Sequence, residues 1–181
     1  FFIASGTRTA IPLIENITNV DYLTSDTVLE LKAQPNSIVI VGGGYIGMEY
    51  GHFFSAIGTK VTIIQRQSGI LPEEEPEISE LLRQELKDRI NILTDFEAME
   101  VQQQGDIKTL VAKSLVDGTV QQFSADALMI ATGRVSNADL LRPEKSGVNL
   151  DDRGFIVVNE YLETSKKHVY AFGDAIGKQM F

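Results

Sequence analysis

Cysteine is missing from all 181 residues. Without a thiol, this chain can form no disulfide, no thiolate metal site and no cysteine nucleophile. Histidine is scarce. His52 and His168 lie far apart without ligand companions, and both read as structural or exposed rather than catalytic or metal-binding. Long apolar runs are lacking, the longest being well short of the ~20 residues that span a bilayer. There is no basic excess either. Sixteen Lys and Arg face 25 Asp and Glu, for a net charge of −9, which argues against nucleic acid or an anionic membrane as partner. No signal peptide is visible, so the expected compartment is the cytoplasm. The chain opens on Phe1 rather than Met, as a processed or excised piece would.

The stretch that stands out is 37–66. Ile38 to Val41 is a wholly apolar, β-branched run, as expected of a strand buried on both faces. Gly42, Gly44 and Gly47 follow at G-x-G-x-x-G spacing, with Gly43 between the first two. Tyr45 to Ile57 reads as a helix that Gly58 stops, and Val61 to Ile64 as a second buried strand. A lone glycine fingerprint is weak evidence; between a strand and a helix, with a second strand at the right distance, it points to a dinucleotide. The first glycine permits the sharp turn, the second lets backbone approach a pyrophosphate, and the third lets helix and strand pack closely. The helix N-terminus then faces the phosphates.

The end of the second strand should read the adenosine ribose. An acid there selects NAD, whereas a neutral residue with a nearby Arg suits the 2′-phosphate of NADP. The residues present are Gln65 and Arg66, a mild lean toward NADP that leaves NAD open.

The rest of the chain fits a Rossmann-like α/β fold: a parallel sheet with flanking helices and an antiparallel β-meander. Phe1 to Ala4 reads as the last part of a strand, and Asp26 to Lys32 as a short helix capped by Thr24, Ser25 and Asp26. Glu73 to Glu75 form an acidic loop, read as solvated. Ile78, Leu81, Leu82 and Leu86 share one face of a helix over Glu77 to Lys87. Ile90 to Leu93 completes a right-handed βαβαβ unit. Phe96 to Gln103, Ile107 to Val116 and Thr119 to Phe123 are strand-like runs split by glycine turns, Asp117-Gly118 being a hairpin signal. Further strands are expected at Asp126 to Ala131, Phe155 to Val158 and Val169 to Phe172.

Four motifs occur in one order: Ile-Ala-Ser-Gly-Thr-Arg from Ile3; Gly-Gly-Gly-Tyr-Ile-Gly-Met-Glu from Gly42; Ile-Ala-Thr-Gly-Arg-Val-Ser-Asn from Ile130; and Val-Tyr-Ala-Phe-Gly-Asp from Val169. With them the chain resembles the FAD-dependent pyridine nucleotide–disulfide oxidoreductases, on the dihydrolipoamide dehydrogenase side, with glutathione and mercuric reductases as cousins. The resemblance implies that Gly42, Gly43, Gly44, Tyr45, Ile46, Gly47 and Glu49 hold the NAD or NADP pyrophosphate and nicotinamide. In it Tyr45 is a gate beside the nicotinamide, and Glu49 places the carboxamide. Gln65 and Arg66 sit at the ribose selector, Phe96 on the adenine side and Gly133 at the nicotinamide end. Ser5, Gly6, Thr7, Gly173 and Asp174 belong to the FAD side.

The resemblance also implies a domain plan: 1–12 a stub of an FAD-binding domain, 13–135 the NAD(P)-binding domain, 136–168 its end and the crossover, and 169–181 a returning FAD stub. The family's redox cysteine pair and His–Glu acid/base pair are absent, so no catalytic residue is expected in the chain and no turnover from it alone. The implied partners are dinucleotide and flavin, with a homodimeric full-length enzyme that could sit in a 2-oxo acid dehydrogenase complex. The implied reaction is hydride exchange between NAD(P) and FAD during dihydrolipoamide oxidation. Open alternatives are an NADPH-dependent disulfide or mercuric reductase and a non-catalytic nucleotide-binding module.

Overall fold

The computed structural model describes residues 1–178. In chain order its elements are β1 (Phe2–Ile3), β2 (Thr7–Thr9), β3 (Ser37–Val41), α1 (Tyr45–Ala56), β4 (Lys60–Ile64), α2 (Pro76–Leu86), β5 (Ile90–Leu93), β6 (Phe96–Gln104), β7 (Ile107–Ser114), β8 (Val120–Ala125), β9 (Ala127–Ile130), β10 (Arg134–Ser136) and β11 (Tyr170–Ala171). Two compact units result. One runs from residue 11 to residue 133, and the other joins residues 1–10 to the chain from 134 onward.

The 11–133 unit is built on a parallel sheet of order β5-β4-β3-β9. Its strands β3 and β9 are apolar on both faces because both are covered, as in buried parallel sheets generally. Alternation along β3 splits the core in two. Ile38 and Ile40 point to the face that carries Met48 and Phe54 of α1 and Leu86 of α2. Val39 and Val41 point to the other face, against Val101, Leu110 and Ala112 of the meander β6-β7-β8. Both helices therefore lie on one face and the meander fills the other. Each of these fully buried aliphatic side chains contributes roughly 1.5–3 kcal/mol through removal from water.

Helix α1 ends as its glycine foretold. The N–H of Gly58 (φ +95°) donates to Ser55 at 3.1 Å, and that of Thr59 to Phe54 at 3.0 Å, the paired bonds of a Schellman stop. Pro76 occupies the first turn of α2, where its missing N–H costs nothing. Only half of the expected apolar face of α2 is used. Leu86 is buried and Leu82 packs beside it, but Ile78 and Leu81 are 52% and 56% exposed.

Three local expectations are corrected. The helix at 26–32 is a single 3₁₀ turn, Val28–Glu30, without a side-chain cap. Only Val28 is buried there, and one anchor with Pro35 close behind is too little to stabilise a helical nucleus. The strand at 155–158 is reduced to isolated bridges, Leu150 to Ile156 and Val158 to Thr164, because no continuous partner strand lies beside it. Strand β7 stops at Ser114. Leu115 and Val116 belong to the hairpin loop, closed by the N–H of Ser114 on Thr119 at 2.8 Å.

In the other unit β1 pairs parallel with β11, and β2 antiparallel with β10. Residues 136–168 group with these strands and not with the 11–133 unit. Their core is Ala138, Val148, Ile156, Ala171 and Ala175.

Candidate dinucleotide site

The glycine bend leaves the C-terminal end of β3, and each glycine has a separate physical task. Gly42 takes φ +111°, and a side chain there would meet the Ala131 carbonyl oxygen at 2.2 Å. A Cβ on Gly47 would lie 2.0 Å from the Gly42 oxygen, so only glycine lets α1 approach the strand this closely. Gly44 differs: nothing lies within 4 Å of where its Cβ would stand. It is the N-cap of α1, and no side chain caps that helix. The open face above Gly44 therefore meets the uncapped positive end of a twelve-residue helix, an arrangement suited to an anion.

Gln65 continues from β4 into this bend. Its N–H donates to Leu93 at 2.8 Å, and its carbonyl accepts from Phe96 at 3.0 Å. Its side chain turns inward and is 6% exposed. Oε1 accepts the N–H of Gly43 at 2.9 Å, while Nε2 donates to the Gly69 carbonyl at 3.1 Å and to Gln67 at 3.2 Å. Gly43 admits it: a Cβ there would lie 3.2 Å from that of Gln65. The side chain placed at the ribose by sequence thus holds the loop itself. Arg66 points outward, 75% exposed, with its Nε 3.2 Å from Glu97 Oε1.

Tyr45 and Glu49 are exposed on α1, and Ile46 packs against the core. The Tyr45 hydroxyl donates to Glu74, so the acidic loop reaches the mouth of the bend. The same loop is tied down where the Leu71 N–H donates to the Gly43 carbonyl at 2.8 Å. Phe96 is half-buried. Its ring packs edge-on to Phe123 at 6.4 Å, against the meander core. Gly133, at φ +118°, has open space around it.

Sequence reasoning missed Glu74 and Glu97, carboxylates that engage Tyr45 and Arg66. Nothing in a run of surface acids distinguishes those two, since their partners are far along the chain. A cleft of about 550 Å³ lies elsewhere in this unit, lined by Lys60, Arg83, Lys87 and Arg89 with Glu80 and Asp88. It adjoins the starts of β4 and β5, the end of the sheet opposite the glycine bend. Ligands of open α/β sheets bind at the carboxyl ends of the strands.

The other unit gathers the remaining candidates. Ser5 Oγ is buried with no hydrogen-bond partner among the described residues, an orphan acceptor and donor that suits a polar ligand atom. Gly6, at φ +64°, accepts the Asn137 N–H at 3.1 Å, and the Ser5 carbonyl accepts from Asn137 Nδ2 at 2.9 Å. Asp174 follows Gly173 in a short 3₁₀ turn and accepts from the Thr7 hydroxyl at 3.1 Å. That hydroxyl in turn accepts from Arg134 Nε. Arg134 extends the set that sequence assigned to this unit. Arg8 makes a two-pronged pair with Asp139, at 2.9 and 2.7 Å, whose hydrogen bond and charge hold that carboxyl below the usual Asp range against its partial desolvation.

The profile of the family described as pyridine nucleotide-disulphide oxidoreductase matches residues 1–181. The chain belongs to that family. Members work with FAD and NAD(P)H. The mercuric reductase of Bacillus cereus is 41% identical over 175 residues, covering 96% of this chain and 27% of the relative. The mycothione reductase of Mycobacterium tuberculosis is 42% identical over 172 residues, 95% of this chain and 36% of the relative. Among solved family structures, the HOCl-induced flavoprotein disulfide reductase RclA from Escherichia coli superposes with a TM-score of 0.89 at 32% identity, covering 99% of this chain and 40% of that one. The chain thus spans between a quarter and two fifths of the length of these family members. No helix among the described residues is long and apolar enough to cross a membrane.

Proposed function

We propose that the 11–133 unit is the nicotinamide-dinucleotide-binding domain of a flavin-dependent disulfide oxidoreductase. The observation that carries this reading is the open face of Gly44 at the uncapped start of α1. Gly42, Gly43, Gly44, Tyr45, Ile46 and Gly47 hold the pyrophosphate, with backbone N–H groups and the helix dipole offsetting its charge. Tyr45, Glu49 and Gly133 serve the nicotinamide end, and Arg66 the ribose. Ser5, Gly6, Gly173 and Asp174 serve the flavin; the orphan Ser5 hydroxyl and the Asp174 carboxylate are fitting partners for its polar chain. Flavin, when bound, supplies the hydride chemistry. The chain's own residues bind and orient, and its 181 residues offer no thiol to carry electrons further.

For the terminal substrate two readings stand. The resemblance to dihydrolipoamide dehydrogenases supports dihydrolipoamide oxidation, by a homodimeric full-length enzyme that could sit in a 2-oxo acid dehydrogenase complex. The named relatives, mercuric and mycothione reductases, favour the reductive direction, and Arg66 beside a neutral Gln65 suits NADPH. Calorimetric titration of the chain with NADH and NADPH tests the core proposal. Saturable binding of either one that is weakened by Gly44→Ala supports it, and heats indistinguishable from dilution for both refute it. A preference for NADPH of at least tenfold supports the reductase reading, and the reverse supports the lipoamide one.

A further inference from the structure

The inward turn of Gln65 leaves the ribose end of the bend to a different pair. All three bonds of its amide are spent on Gly43, Gly69 and Gln67, and it is buried. The groups exposed beside it are Arg66 and Glu97. They are neighbours by construction: the Phe96 N–H bonds the Gln65 carbonyl, which sets the first residues of β6 alongside the end of β4. Across the ladder, Lys113 of β7 is the register partner of Glu97.

We propose that Glu97 is the specificity-determining residue of this dinucleotide site, acting as a resident competitor for the 2′-phosphate of NADP. The inference rests on the dinucleotide reading above. Arg66 meets Glu97 through Nε, at 3.2 Å, and is 75% exposed, so its guanidinium faces solvent where a phosphate can reach it. A phosphate arriving there must share Arg66 with a carboxylate and endure its repulsion. A ribose bearing a plain 2′-hydroxyl meets no such penalty, and Glu97 can accept its proton in a hydrogen bond, the service usually given by an acid at the end of the preceding strand. Glu97 thus supplies from β6 what Gln65 does not supply from β4, and holds the cationic Arg66 in check.

The test is a cycle of Glu97→Gln, Arg66→Ala and the double variant in the full chain. Dissociation constants for NADH and NADPH are measured at fixed low ionic strength, with melting curves to show that each variant is folded. Glu97→Gln should shift the affinity ratio toward NADPH by roughly tenfold, the effect of removing one nearby like charge at a partly exposed site. Arg66→Ala should weaken NADPH selectively, and in its background Glu97→Gln should move the ratio clearly less than it does in the wild type, since sharing of Arg66 is lost and only the direct effects of the carboxylate remain. A ratio unmoved by Glu97→Gln in a wild-type chain that does bind would overturn the inference and leave the dinucleotide reading intact. A full shift surviving in the double variant would also overturn it, because Glu97 would then act without Arg66. Absence of binding by the wild-type chain would remove both.

Discussion

Gln65 Oε1 accepts the N–H of Gly43 at 2.9 Å, across 22 residues of sequence, from a side chain that solvent barely touches. The same amide donates to Gly69, and Leu71 two residues on donates back to the Gly43 carbonyl. One residue of the glycine bend is thus gripped on both sides.

Replacing Gln65 by Leu should therefore be costly. The Gly43 N–H and the Gly69 carbonyl lose their partner in a place water reaches poorly, and such orphaned groups cost about 1–3 kcal/mol each. A fall in melting temperature of roughly 5–10 °C is expected for a chain of this size. Gln65→Glu keeps the acceptor for Gly43 but sets a carboxylate against the Gly69 carbonyl, so it should also destabilise. Melting curves for both variants that match the wild type would show that the amide holds nothing.

The βαβαβ order could be read from the chain because its signals are local. β-branched runs mark buried strands, glycines mark the bend and the helix stop, and each acts within a few residues. The orientation of Gln65 could not be read. A polar residue at a strand end can face a ligand or its own loop, and the deciding partners, Gly43 and Gly69, say nothing in sequence. Glu97 was silent for the same reason, its partner being 31 positions away. The packing of residues 136–168 leaves little trace in sequence because turns and single bridges show no periodicity; Val148 and Ile156 meet Ala171 only in the folded unit. The face of α2 misled in the other direction. Periodicity marks four apolar residues, but it does not report that only the C-terminal end of the helix reaches the core.

Two alanine substitutions should separate folding from binding. At Gly47 a methyl group would stand 2.0 Å from the Gly42 oxygen, a backbone atom that cannot yield, so the helix must pull away from β3. Gly47→Ala should lower stability by several kcal/mol, at the upper end of overpacking penalties. At Gly44 the methyl group meets nothing within 4 Å, and φ is −79°, open to any residue. Gly44→Ala should change stability by less than about 1 kcal/mol, yet its methyl group occupies the space proposed for the pyrophosphate. Dinucleotide affinity should drop about tenfold or more. An unaltered dissociation constant for Gly44→Ala would place the diphosphate elsewhere.

The pair of Arg8 and Asp139 gives the 1–10 and 134-onward unit an acid-sensitive contact. The Arg8 hydrogen bond chiefly depresses the Asp139 pKa, and the folded value lies below the unfolded one. Stability from this carboxylate is therefore fully present above the unfolded pKa of about 3.9 and is lost as pH falls through the folded value. Asp139→Asn removes the linkage. The wild type should melt higher than this variant near neutrality, and the gap should close as the pH is lowered below about 4. A gap that stays constant through the acid range would mean that the two side chains do not interact in the folded state.

The basic cleft by α2 poses a competing prediction, because a diphosphate could in principle be drawn to Lys60, Arg83, Lys87 and Arg89. Charge alone is a poor guide there. Glu80 and Asp88 line the same cleft, Arg83 already lies 3.9 Å from Glu80, and no helix start points into it. What reaches it is the C-terminal end of α2, whose carbonyls carry the negative end of the helix dipole and repel an anion. The glycine bend offers the opposite polarity and open backbone. Reversing two charges in the cleft, with Arg83→Glu and Lys87→Glu, should therefore leave dinucleotide affinity within about twofold at moderate salt, where exposed charges this far off are screened. Gly44→Ala measured beside it should show its full loss. If the reversal abolished binding and Gly44→Ala did not, the cleft and not the bend would be the dinucleotide site.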